Sequence, residues 1–257
     1  MIFNVGDLVS RNSYKNDVVF KIIKIENDKA YLKGVEVRLL ADAPITDLVA
    51  NKKNINCEFD VDFDEVDKNR GDDFFYLPGK ILHLDGDGEY LDTCLKFYKS
   101  KKVYAIGKKL KEDNMANQVP ILLKEYRPDI LVITGHDAFF KKKGNKQDIN
   151  NYKNSKNFIS AVKAARKYEK SHDKLVIIAG ACQSDYEEII KAGANFASSP
   201  KRINIHALDP AIIATYVAIT ERNKQIDLID LLNKTKYGSD GIGGLVGNGL
   251  MYVGFPR

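Results

Sequence analysis

Two residues of this 257-residue chain have the types and surroundings needed for covalent catalysis. Cys182 stands in Ala179-Gly180-Ala181-Cys182-Gln183-Ser184, and His136 stands in Gly135-His136-Asp137. Each follows a continuous apolar run, Leu175-Val176-Ile177-Ile178-Ala179 before the thiol and Ile130-Leu131-Val132-Ile133 before the imidazole. A thiol becomes a nucleophile when a base takes its proton or its surroundings favour the thiolate. An imidazole takes and returns such a proton near neutral pH. Alone, each residue has a bland reading, since a cysteine after an apolar strand is usually a small buried hydrophobe. Together they lie 46 residues apart at the ends of two strands, one strand–helix–strand passage.

The stretch after the thiol adds to this. Ser184-Asp185-Tyr186-Glu187 has capping-box spacing, with Ser184 as N-cap and Glu187 three positions on. That predicts a helix start just past Cys182, whose positive end would favour thiolate. Gly180 and Ala181 leave room for a substrate backbone, and the Cys182 amide is a candidate oxyanion donor. Asp85 and Asp87, in Asp85-Gly86-Asp87-Gly88-Glu89, follow an earlier strand. If that strand lies between its two neighbours in the sheet, both carboxylates border His136 and suit a guanidinium, which they pair bidentately. Ser198 and Ser199 would form the other wall of that pocket, with Asp209 in reserve. The plainer role for Asp87 is to cap the helix that follows.

The remaining candidates are weaker. The Asp85–Glu89 loop lacks the glycine position and terminal glutamate of a calcium loop. A metal-assisted hydrolase built on His83, Asp85, Asp87 and His136 is an alternative, as is a non-catalytic scaffold. His206 is the rival base, and His172 reads as a solvated loop residue. Cys94 fits a helix interior, and Cys57 falls in an acidic stretch. Gly241–Gly249 precedes a β-like segment rather than a helix, which argues against phosphate binding. The Lys141-Lys142-Lys143 run reads as a solvated loop. No metal and no other cofactor is expected.

These residues need a scaffold, and the chain divides into three stretches. Residues 1–50 hold short β-rich segments (20–25, 30–33 and 35–40) with turns at Asn27-Asp28 and Gly34, which suggests a small SH3-like barrel. It would be a docking module or a stabilising appendage. Residues 51–76 are crowded with acids and read as a linker. From 77 to 257 strands and helices alternate: strands at 79–84, 103–106, 129–134 and 175–179, helices at 89–98, 115–126, 155–168 and 184–192. That pattern means an α/β fold with a parallel sheet and helices on both faces. A net charge of +5, from 40 basic and 35 acidic residues, is too mild to imply nucleic acid. No apolar run is long enough to span a membrane, and no secretory signal is expected. Three cysteines without paired spacing argue against a disulfide scaffold and for cytosolic synthesis.

The order strand–His, helix, strand–Ala-Cys resembles the caspase-like (clan CD) cysteine peptidases. One departure is that Gly135 precedes His136 and Asp137 follows it. A resemblance covering nearly the whole chain is to the sporulation-specific protease YabG family. It is carried by Val5-Gly6-Asp7-Leu8-Val9-Ser10-Arg11, Pro78-Gly79-Lys80-Ile81-Leu82-His83-Leu84-Asp85-Gly86-Asp87, Arg127 to Ala138, Ala179 to Ser184, and Ala192 to Pro200. It implies a cysteine endopeptidase with Cys182 as nucleophile and His136 as base, and the amides of Cys182 and Asp137 as oxyanion donors. It also implies cleavage after basic residues, notably arginine, in spore coat and cortex proteins and in precursors of germination proteins. The enzyme would work in the mother cell at the forming coat, with neither nucleic acid nor membrane as a partner.

Overall fold

The computed structural model describes residues 2–51, 61, 63, 73–140 and 144–256. Cys57, the Lys141-Lys142-Lys143 run and most of the expected acidic linker lie outside them. The chain divides into two units, Met1–Asp60 and Val61–Arg257.

The first unit is one antiparallel sheet of β1 (Leu8–Arg11), β2 (Phe20–Glu26), β3 (Lys29–Gly34), β4 (Leu40–Pro44) and β5 (Leu48–Ala50). Its order is β4-β3-β2-β1-β5. Asn27 and Asp28 both take positive φ, as a two-residue hairpin turn between Glu26 and Lys29 requires. A bulge between Ile22 and Lys24 accounts for the imperfect alternation of β2, and Ile23 is exposed there. Phe20, Ile22, Ala30, Leu32 and Val9 form the core. The strand expected over 35–40 begins only at Leu40. The chain first loops so that the Gly34 amide donates to the Leu39 carbonyl, and a Cβ at Gly34 would lie 2.3 Å from the Val37 oxygen.

In the second unit β6 (Phe75–Leu77) leads into β7 (Ile81–Asp85), α1 (Gly88–Ser100), β8 (Ala105–Lys109), α2 (Glu112–Tyr126) and β9 (Ile130–Thr134). Then come α3 (Ser155–Tyr168), β10 (Val176–Ala179), α4 (Tyr186–Lys191), β11 (Phe196–Ser198) and α5 (Asp209–Ile219). The chain ends with α6 (Leu228–Asn233), α7 (Gly238–Gly241), β12 (Ile242–Gly244) and β13 (Tyr252–Gly254), which pairs with β6. So parts of the stretch read as linker are structured: Phe75–Leu77 is a strand that takes in its end, and Phe63 packs on Phe97 and Tyr216.

The main sheet has the order β8-β7-β9-β10-β11-β12, parallel except where β12 runs against β11. β7 therefore lies between β8 and β9, and β9 pairs directly with β10. Every residue of β7, β9 and β10 is buried, as strands covered on both faces must be. Alternate residues Leu82, Leu84, Leu131, Ile133 and Ile177 meet Met115, Val119 and Leu123 of α2 and Phe158 and Val162 of α3. The opposite parity carries His83, whose ring reaches Tyr98 of α1. α5 also packs on β9 and β10. It is apolar all round and buried on nearly every side, so it shows none of the amphipathic periodicity that betrays the other helices. α2 starts at Glu112, earlier than the pattern suggests, and runs through Pro120.

Phe158 is fully buried and anchors α3 on the sheet. Phe158→Ala should cost about 3–5 kcal/mol, read as a lower urea midpoint with an unchanged slope.

Candidate active site

The register of the sheet sets up the site. Leu84 of β7 pairs with Ile133 of β9, and Ile133 pairs with Ala179 of β10. Three residues beyond these partners stand Asp87, His136 and Cys182, one on each of three adjacent strand ends. The order reverses between β7 and β9, where open α/β sheets form their crevice.

His136 is held at four points. Its Nε2 lies 3.0 Å from Asp87 Oδ2, and its amide donates to Glu112 Oε1 at 2.9 Å. Its carbonyl accepts from Asn154 Nδ2 at 2.7 Å, and the ring meets Tyr90 edge-on with centroids 5.8 Å apart. Nδ1 is buried and has no hydrogen-bond partner among the described residues.

Cys182 has no solvent exposure. The Ile205 amide donates to its sulfur at 3.2 Å, a contact that strengthens when the acceptor is charged. The loop that presents it turns through positive φ at Gly180 and Gln183. A Cβ at Gly180 would lie 3.2–3.3 Å from Ile189 and Ser198, so this turn needs glycine both for conformation and for space. Gln183 spans three segments: its amide donates to the Ile203 carbonyl, its Oε1 accepts from the Phe139 amide, and its Nε2 donates to Asn204.

The Asp137 side chain joins the two loops. Oδ1 accepts from the amides of Ala138 and Asn154. Oδ2 accepts from the hydroxyls of Ser155 and Ser184. Those hydroxyls accept in turn, Ser155 from the Asp185 amide and Ser184 from the Ala181 amide. The residue after the histidine thus fixes the chain on both sides of the cysteine. Burial pushes the Asp137 carboxyl up from its ordinary range, against the pull of these hydrogen bonds.

This corrects the helix cap. The N-cap of α4 is Asp185, whose Oδ1 accepts from the Glu188 amide, not Ser184, and Glu187 pairs with Arg202 instead of closing a capping box. Ser184 is drawn inward because the buried Asp137 and the Ala181 amide both need a partner. α4 consequently starts four residues beyond Cys182.

The other candidates are placed as follows. Asp85 has no exposure and accepts from Thr134 Oγ1 and the Asp87 amide. Asp87 caps α1 through Oδ1, which accepts from the Glu89 and Tyr90 amides, while Oδ2 meets His136. Ser198 and Ser199 are fully buried; Ser199 Oγ donates to the Ile203 carbonyl and accepts from the Gln183 amide. His206 is buried beside Ile205, with Nδ1 accepting from the Leu208 amide. Asp209, fully buried, accepts from the amides of His206 and Lys236. His83 uses both ring nitrogens, on Tyr98 and Thr134. Among the described residues no group of three or more His, Cys, Asp and Glu is disposed to hold a metal ion. Cys94 is buried within α1, and His172 is half-buried against Arg166.

Sequence reasoning missed the side chains of Asp137, Ser155 and Glu112. Glu112 had a signal in Gly86 and Gly135: a Cβ at either would lie 2.3–2.4 Å from its Oε1. Both glycines make room for one carboxylate between the loops. Ser184→Ala would strand the Ala181 amide and remove a donor to Asp137, costing about 1–3 kcal/mol. Denaturant titration should show that loss. A loss equal to a surface serine's would mean the brace carries no weight.

Among the described residues no helix is long and apolar enough to cross a membrane. A family model described as YabG peptidase U57 matches residues 4–66 and 51–256. The sporulation-specific protease YabG of Bacillus subtilis (strain 168) is 42% identical over 286 aligned residues, which take in 100% of this chain and 99% of that protein. With both units matched and the relative aligned end to end, the chain belongs to the YabG family of peptidases.

Proposed function

We propose that the chain is a cysteine endopeptidase of spore formation in which Cys182 is the nucleophile and His136 the general base and acid. The observation that supports this most is the alignment of His136 and Cys182 three residues beyond paired positions of neighbouring parallel strands. His136 takes the thiol proton as sulfur attacks the peptide carbonyl, and the amides of Cys182 and Asp137 receive the oxyanion. The C–N bond then breaks as the imidazolium returns the proton to the departing amine. Water, deprotonated by His136, hydrolyses the thioester and restores the thiol. The strand–His, strand–Cys order supports a caspase-like reading of the sheet, and five antiparallel strands support an SH3-like reading of the first unit, which would dock protein substrates.

Cleavage after arginine is part of the same proposal. Asp85, Asp87 and Glu112 collect carboxylates at the ends of β7 and β9, and their negative field suits a guanidinium. Ser198 and Ser199 flank the cysteine loop on its other side. The substrates would be spore coat and cortex proteins and precursors of germination proteins, met in the mother cell at the forming coat.

Purified protein should cleave an arginine-containing peptide, and Cys182→Ala and His136→Ala should each abolish cleavage with unchanged circular dichroism. Cys94→Ser should stay within a few fold of the parent. A Cys182→Ala protein that still cleaves at the parent rate would rule out the thiol mechanism. Replacing arginine by citrulline, which keeps the shape and loses the charge, should lower kcat/KM by about tenfold or more. Equal rates on the two peptides would remove the acidic pocket.

A further inference from the structure

We infer that Asp87 is the positioning residue of the reaction: it accepts the Nε2–H of His136 and thereby reserves Nδ1 for the proton of Cys182. This rests on the cysteine-peptidase reading above and goes beyond it by assigning a tautomer and a third member. Three observations carry it. Asp87 Oδ2 lies 3.0 Å from His136 Nε2, and both side chains are largely buried, at 13% and 12% exposure. Nδ1 of the same ring is buried with no partner among the described residues, although a buried ring nitrogen normally has one. Asp87, His136 and Cys182 also each follow by three residues the register-paired positions Leu84, Ile133 and Ala179, with the histidine loop leaving the middle strand.

A neutral imidazole carries one proton, and the hydrogen bond at one nitrogen decides which one. A carboxylate only accepts, so it selects Nε2–H and leaves the Nδ1 lone pair as the base. When Nδ1 takes the thiol proton, the imidazolium forms beside that carboxylate and is stabilised by it. Asp87 can hold this position because its other oxygen is tied to the first turn of α1. The groups facing His136 are Asp87 from the β7–α1 turn, Tyr90 from α1, Glu112 from the start of α2 and, along its own loop, Asp137. Of the three carboxylates, the one bonded to the ring is Asp87. Glu112 bonds the backbone amide, and Asp137 points to Ser155 and Ser184.

Asp87→Asn is the informative variant, because asparagine caps a helix as well as aspartate does. It keeps α1 intact while presenting a neutral group to the ring. The expected result is a fall in kcat of about 10²-fold on arginine and citrulline peptides alike, beyond any rise in KM that the lost charge brings on arginine. Ring-nitrogen NMR on the full chain carrying Cys182→Ala gives a readout that needs no turnover. The chain has only four histidines, and His136→Gln assigns the signal. The parent should show the Nε2–H tautomer, and Asp87→Asn, whose amide nitrogen faces Nε2 when its oxygen caps α1, should shift the ring toward the Nδ1–H form. An unchanged tautomer in Asp87→Asn, or a loss confined to KM on arginine peptides, overturns the inference and returns Asp87 to substrate binding. Full activity of His136→Ala overturns the dyad itself, a different outcome from either.

Discussion

Asp137 carries a carboxyl group that the fold removes almost wholly from water, and such a group must be supplied with donors or remain protonated. Four donors meet it, from Ala138, Asn154, Ser155 and Ser184. Two are hydroxyls that pass the bonding on to the amides of Ala181 and Asp185. The histidine loop, the start of α3 and the cysteine loop therefore share one polar network in an otherwise apolar interior. A network of this kind specifies one arrangement, because a shift of any member strands a buried partner.

The sheet supplies the coarser alignment. Parallel pairing of β7, β9 and β10 starts the loops that carry Asp87, His136 and Cys182 from paired strand ends. Loops leaving a parallel sheet at one level can drift, and here several local devices prevent it. Glu112 fills the space left by Gly86 and Gly135 and holds the His136 amide. Gln183 bonds Phe139 on one side and Asn204 on the other. Arg202, nearly enclosed, pairs with Asp185 and Glu187 and so ties the loop after β11 to the start of α4.

The enclosure has a chemical consequence. Cys182 has no exposure, and Ile205 supplies the N–H that meets its sulfur. Within low-dielectric surroundings a fixed donor acts more strongly than it would in water. The segment Ser199–His206 thus bonds the cysteine loop at two places: Ser199 and Ile203 hold Gln183, and Ile205 holds the thiol.

From sequence alone the class of fold was legible, because strands buried on both faces show as unbroken apolar runs and amphipathic helices show their period. Ser155–Tyr168 came out with the bounds that the pattern indicates. His136 and Cys182 stood out because chemistry-bearing residues directly follow such runs. α5 was not legible, since a helix buried on all sides has no polar face to mark its period. Nor was the cap of α4: spacing favours Ser184, but Ser184 is claimed by a carboxylate 47 residues away. The same holds for Glu112 and Asp137, two acids with side-chain partners far off in the chain, whereas the cap at Asp87 and its place beside His136 were legible. Local propensity is written in neighbouring residues. The partner of a buried charge is chosen only when the sheet's register brings distant loops together, and that choice belongs to the tertiary structure.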